Sequence, residues 1–188
     1  MSRRAAGFVL GFALALLIGG GLWWWLGERG GSRVRGTAQT VSNEPREKRE
    51  FDLYFPTDGG RLRAERRELE VAEAPKDRIR KVVEALLGGP KGDGLYALFP
   101  EGVTLGGLQL GADGTAYVDL RWAEKEEPPA SGSSEEMQRV YSLVNSIVFN
   151  VPQARRVVLL WNGAQTLTFA GHLDTSRPLL PERSLLAP

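Results

Sequence analysis

Few residues in this chain have chemical potential, and they are unevenly placed. The one histidine, His172, sits in the run GHLDTS beside Asp174 and Ser176, which together supply the side-chain types of a Ser-His-Asp hydrolase. Such a group needs geometry drawn from separate parts of a fold, and three neighbours in one loop do not ordinarily provide it. Asp174, Thr175 and Ser176 are better read as a turn in which short polar side chains bond nearby backbone. A single histidine removes multi-histidine metal centres, and the lack of cysteine removes thiolate ligands, thiol nucleophiles, disulfides and a lipid-bearing cysteine.

Asp119 lies on a strand-like run with Glu124, Glu126 and Glu127 close behind it. A weak calcium site would use such carboxylates, but the D-x-D-x-D-G spacing is missing, so the reading is a solvated acidic loop and no metal. The glycine-rich stretch Gly88 to Gly94 follows a helical pattern, whereas phosphate-cradling loops precede one. Gly106-Gly107 falls inside a strand pattern and predicts a bulge or a close backbone approach. No cofactor is expected. Three aromatic residues, Tyr96, Phe99 and Trp122, are the weak candidates for ligand contact if they cluster beside polar groups.

The elements that must position these residues follow from periodicity. FDLYFP, Phe51 to Pro56, is an apolar run closed by proline and the turn residues Thr57 to Gly60. Leu62 to Val71 alternates weakly and returns as a solvated strand. Pro75 opens a helix with Asp77 in its first turn, and Ile79, Val82, Val83, Leu86 and Leu87 form one apolar stripe ended by Gly88-Gly89-Pro90. Val103 to Gly111 and Thr115 to Trp122 flank Asp113-Gly114 as a hairpin. Ala123 to Gly132 is an exposed loop. Ser133 and Glu136 have capping-box spacing before a second helix running to about Asn150. Val157 to Trp161 reads as a central strand, Gln165 to Phe169 as a shorter one after Asn162-Gly163, and the rest as loop. The fold class is α+β: a small mixed or antiparallel sheet of about five strands, with two helices packed on one face.

The N-terminal segment differs in kind. Phe8 to Leu26 is an uncharged run that would rise about 28 Å as a helix, close to the thickness of a bilayer core. Trp23, Trp24 and Trp25 stand at one end, where amphipathic rings favour the membrane interface. The organisation expected is a cytoplasmic N-terminus (1–7), an uncleaved transmembrane signal anchor (8–27), a flexible linker (28–50), one domain (51–180) and a C-terminal tail (181–188). The domain would then stand outside the cytoplasm on a single-pass protein of the cell membrane. The net charge of +1, from 24 basic and 23 acidic residues, gives no footprint for nucleic acid.

From about Phe51 to Leu180 the chain resembles the GerMN domain, the sporulation and spore germination domain. The resemblance rests on FDLYFP, on ALLGGP (Ala85 to Pro90), on FPEGVTL (Phe99 to Leu105) and on AYVDL (Ala116 to Leu120). It continues through YSLVNSIV (Tyr141 to Val148), VVLLWNG (Val157 to Gly163) and GHLDTSRPL (Gly171 to Leu179). It implies one α+β domain held outside the cytoplasm, without catalytic residues, and it places Asn145 in the domain's core as a buried structural bond. The function expected is a non-catalytic interaction or assembly module of the bacterial envelope, its partner an envelope protein or a second copy. The alternatives are a binding module for envelope glycan or peptide and, last, a hydrolase.

Overall fold

The computed structural model describes residues 45–123 and 125–188. The expected anchor at 8–27, its tryptophans Trp23, Trp24 and Trp25, and most of the 28–50 linker lie outside the described residues. Among the described residues no helix is long and apolar enough to cross a membrane. In chain order the elements are β1 (Arg46–Pro56), β2 (Leu62–Ala72), α1 (Pro75–Leu87), β3 (Val103–Leu110), β4 (Thr115–Trp122), α2 (Ser133–Asn150), β5 (Arg156–Trp161) and a 3-10 turn at Arg183–Leu185.

The class is α+β with two helices, as the periodicities predict. The strands, however, form two sheets rather than one. β1 and β2 make an antiparallel ribbon, while β3, β4 and β5 make a mixed sheet, β3–β4 antiparallel and β4–β5 parallel. The parallel pair needs a crossover, and α2 supplies it. Apolar residues from both sheets and both helices share a single buried cluster. Phe51, Leu53 and Phe55 come from β1, Val118 and Leu120 from β4, Val83 from α1, and Leu143 and Ile147 from α2. Each such side chain contributes about 1.5–3 kcal/mol on burial.

The ribbon and the sheet stay separate because the outer edge of β1 meets a helix instead of a strand. Ser142, Ser146 and Asn150 recur every four residues and so lie on one face of α2. The Tyr54 amide donates to Ser146 Oγ at 2.9 Å, and the Ser142 hydroxyl donates to the Tyr54 carbonyl. Asn150 both accepts from the Asp52 amide at 2.9 Å and donates to its carbonyl at 2.7 Å. Helix side chains thus do for β1 what a third strand would do.

Local signals explain the rest. At the β3–β4 turn Gly114 has φ of 80°, which a side chain would disfavour, and Asp113 accepts from the Thr115 amide at 3.1 Å. The register shifts between Leu105 and Gly107, so the predicted bulge is present. A Cβ at Gly106 would come within 2.3 Å of the Arg121 side chain.

Three expectations need correction. Ser133 does not cap α2: the cap residue is Gly132, and Glu136 is fully buried, turned to a loop across the fold. Gln165 to Phe169 is not a strand, because this segment folds back on itself, the Thr175 amide donating to the Leu167 carbonyl at 2.9 Å. β1 begins at Arg46, inside the expected linker, as an exposed charged ribbon in which Lys48 pairs with Glu68 at 2.8 Å. The expected C-terminal tail, residues 181–188, is fastened to the domain. Asn145 accepts from the Glu182 amide at 2.8 Å and donates to its carbonyl at 3.0 Å, and the Ala187 amide reaches Leu62 O at 2.7 Å. Asn145 is therefore the buried structural bond expected of it.

If α2 seals β1, Asn150→Ala should lower stability by about 1–2 kcal/mol in urea unfolding. Met137→Ala, on the exposed side of the same helix, should stay within about 0.5 kcal/mol of the parent. Equal costs for the two would refute the sealing role.

Candidate functional site

α2 runs antiparallel to β1, which fixes the two ends of the domain. Asn150, at the helix end, bonds Asp52, whereas Gln138, near the helix start, donates to the Gly60 carbonyl at 2.9 Å. One end therefore holds Pro45 with Pro75, Arg78 and Gln153. The other holds the β1–β2 turn, the segment 95–102, the end of β4 and the first turns of α2.

At that second end lies an open groove of about 540 Å³. Phe99 and Leu98 lie on one wall, Trp122 at the end of β4, Pro128 and Pro129 on the opposite loop, and Arg139 of α2 at the base. Arg139 is only 3% exposed. Its Nε donates to Leu98 O at 2.6 Å, Nη1 to Pro129 O at 3.0 Å and Nη2 to Glu135 Oε1 at 2.6 Å. Its guanidinium also lies 6.0 Å from the Phe99 ring centre. Burial holds its pKa below the usual arginine value, while the carboxylates of Glu135 and Glu136 pull it upward. One buried cation thus pins both walls of the groove.

Asn162 holds the remaining wall. It is the one non-glycine residue with positive φ, 49°, among the described residues. From there its Oδ1 accepts from the Trp122 amide at 3.3 Å, and its Nδ2 donates to the carbonyls of Lys125 and Glu126 at 3.0 and 3.2 Å. Trp122 packs against Trp161 as a T-shaped pair, with ring centres 6.5 Å apart.

Of the three aromatic candidates, the structure brings Phe99 and Trp122 to this groove. Tyr96 stands apart, 48% exposed, with its hydroxyl donating to Asp58. The sequence gives no local signal for Arg139, since a charged residue on a helix is ordinarily solvated, and Asn162 stands there only as a turn residue with Gly163.

The hydrolase ingredients do not converge. Asp174 accepts from the Ser176 amide at 2.9 Å and from its hydroxyl at 2.6 Å, a local turn as predicted. The His172 ring nitrogen Nδ1 lies 2.9 Å from Glu136 Oε2 instead of facing Asp174. Glu136 also accepts from the amides of Ala170 (2.6 Å), His172 (2.9 Å) and Leu173 (3.1 Å). Burial pushes its carboxyl up, but the amides of Ala170 and Leu173, the His172 ring and the His172 amide outweigh this and hold it below the usual range. Asp119 is likewise occupied, by Arg121 Nε at 2.9 Å and the Gly163 amide at 2.7 Å. Among the described residues no three His, Asp or Glu side chains are grouped as a metal site.

The glycine-rich loop after α1 holds an internal anion. Glu65 accepts from the amides of Lys91 (2.8 Å) and Gly92 (2.7 Å) and pairs with Arg67. Burial raises its carboxyl, but those amides and Arg67 together hold it below the usual range. At the exposed β3–β4 turn, hydrogen bonds from Thr115, with Arg156 beside it, hold Asp113 down to about 2.

Comparison with known proteins shows what the chain is similar to. Residues 52–167 match the family model named Germane and described as sporulation and spore germination. No curated protein matches the chain. Among solved structures, the first GerMN domain of the sporulation protein GerM from Bacillus subtilis is 20% identical. That match has a TM-score of 0.56 and covers 73% of this chain and 98% of that one. A Clostridium perfringens protein named as a lipoprotein is 19% identical, with a TM-score of 0.51 and coverage of 71% and 87%. The tandem GerMN domains of GerM are 18% identical, with a TM-score of 0.53, and the match covers 72% of this chain and 46% of theirs.

The lowered carboxyl pKa values set a pH dependence. A carboxyl whose folded pKa lies below its unfolded one binds fewer protons when folded, so its stabilisation is present above the ordinary carboxyl range and lost as pH falls through the folded value. The urea midpoint should therefore fall between pH 6 and pH 3, and Glu65→Gln should shrink that fall. An unchanged fall in the variant would show that Glu65 is not held as described.

Proposed function

The chain belongs to the Germane family of sporulation and spore germination domains, and on that premise we propose that it is a membrane-anchored, non-catalytic interaction or assembly module of a bacterial envelope. The apolar segment 8–27 serves as the anchor in this reading, and the folded domain stands outside the cytoplasm. Its partner is an envelope protein or a second copy of the chain, and any part in sporulation belongs to this same proposal.

The observation that carries the reading is how the chemically capable side chains are spent. His172, Asp174, Ser176 and Asp119 each hold backbone or a neighbouring side chain within the fold. Their groups are committed to structure, which suits a surface that binds more than one that reacts. On the irregular segment after β5, Leu167 and Leu180 are 78% and 65% exposed.

A membrane-impermeant, amine-reactive cross-linker applied to intact cells tests both the place and the role. Recurrent links from this domain to one envelope protein, or between its own copies, are the expected outcome. Links that form only with a permeant reagent would place the domain inside the cell. Absence of links above background with either reagent would remove the assembly reading.

A further inference from the structure

The groove at the start of α2 has a chemistry that the assembly role does not use. Its buried charge is already balanced, because the guanidinium of Arg139 is paired with Glu135 at 2.6 Å. The exposed rim adds one cation, Lys125, and one anion, Glu127. A strongly charged ligand of either sign would meet a like charge there and leave another unpaired. A neutral ligand rich in hydroxyls meets a donor and an acceptor on the same rim.

The apolar part is equally selective. Phe99 is 7% exposed and acts as wall, so the half-buried Trp122 is the lining ring with surface left for contact. One aromatic platform suits one flat, C–H-bearing sugar ring, whereas grooves for proline-rich peptides depend on aromatic-lined surfaces that hold successive prolines. Ala97, Pro100 and Pro129 complete the apolar lining, the kind of surface that takes an acetamido methyl. The volume of about 540 Å³ lies within the range of small-ligand sites, and the open form admits a chain that continues beyond one ring.

The walls of the site are hydrogen-bonded to the rest of the fold. Arg139 ties the two loops together, Asn162 ties the third, and Trp161 packs against Trp122. Preorganised walls spare the ordering entropy that weakens binding to mobile loops. The groove lies at the end of the domain remote from Arg46.

From these features we infer that the groove between Phe99, Trp122 and Pro129 is a binding site for a neutral N-acetylated hexosamine oligosaccharide, with one sugar ring on Trp122 and hydroxyls on Lys125 and Glu127. This is separate from the assembly role, so its failure would leave the cross-linking result untouched.

The test is saturation-transfer NMR on tetra-N-acetylchitotetraose with the full chain in a sugar-free zwitterionic detergent, run beside a proline-rich decapeptide. Saturable transfer to the acetyl methyl protons is expected. Trp122→Ala should weaken binding by about tenfold or more, a loss of the size expected for a stacked ring. Glu127→Ala, an exposed rim change, should weaken it several-fold, and Tyr117→Ala, on the solvent face of β4, should leave it unchanged. Lack of saturable transfer, retention of full affinity in both groove variants, or binding of the decapeptide without the saccharide would each overturn the proposal.

Discussion

Buried polar groups on α2 hold this domain together. A polar atom removed from water must find a partner or cost stability, and five such residues are almost fully buried along this one helix: Glu136, Arg139, Ser142, Asn145 and Ser146. Each finds its partner in backbone that has no regular partner of its own. Glu136 takes the 170–173 loop, Arg139 the loops around Leu98 and Pro129, Ser142 and Ser146 the edge of β1, and Asn145 the strand-like tail at Glu182. The apolar residues of the same helix fill the core. One helix therefore both packs the hydrophobic cluster and satisfies the irregular chain around it.

That arrangement gives the loops of a domain with only two small sheets their hydrogen-bond partners. Loops usually carry mobility because their amides and carbonyls bond water. Here a sizeable part of the irregular chain is bonded to side chains of α2, of Asn162 or of Glu65. The groove is a product of the same device. Its walls, two loops and the end of β4, are tied to the fold by one guanidinium and one amide.

Much of this was legible in the sequence where a single principle governs. The apolar stripe of α1, the Asp113-Gly114 hairpin, the bulge at Gly106-Gly107 and the Asp174–Ser176 turn all depend on local periodicity or local turn chemistry. Asn145 was legible as a core residue through the family pattern. The division into two sheets was not, because it depends on serines and an asparagine every four residues on α2, spacing that reads as an ordinary helix face until the strand beside it is known. Glu136 shows the same limit. Its spacing from Ser133 fits a capping box, but its carboxylate collects three amides from a loop more than thirty residues away, and long-range partners leave no local signature. Arg139 escaped notice for the converse reason, since a charged residue on a helix is ordinarily solvated.

The central claim is that α2 fastens the irregular chain through its buried polar side chains, and native-state hydrogen exchange on Glu136→Gln tests it most directly. The substitution keeps shape while removing the charge and one acceptor oxygen. The account predicts that the amides of Ala170, His172 and Leu173 lose protection while those of Val118 and Leu159 in the mixed sheet keep theirs. Unchanged protection at all three loop amides would contradict it, and would mean that the loop is held by packing alone.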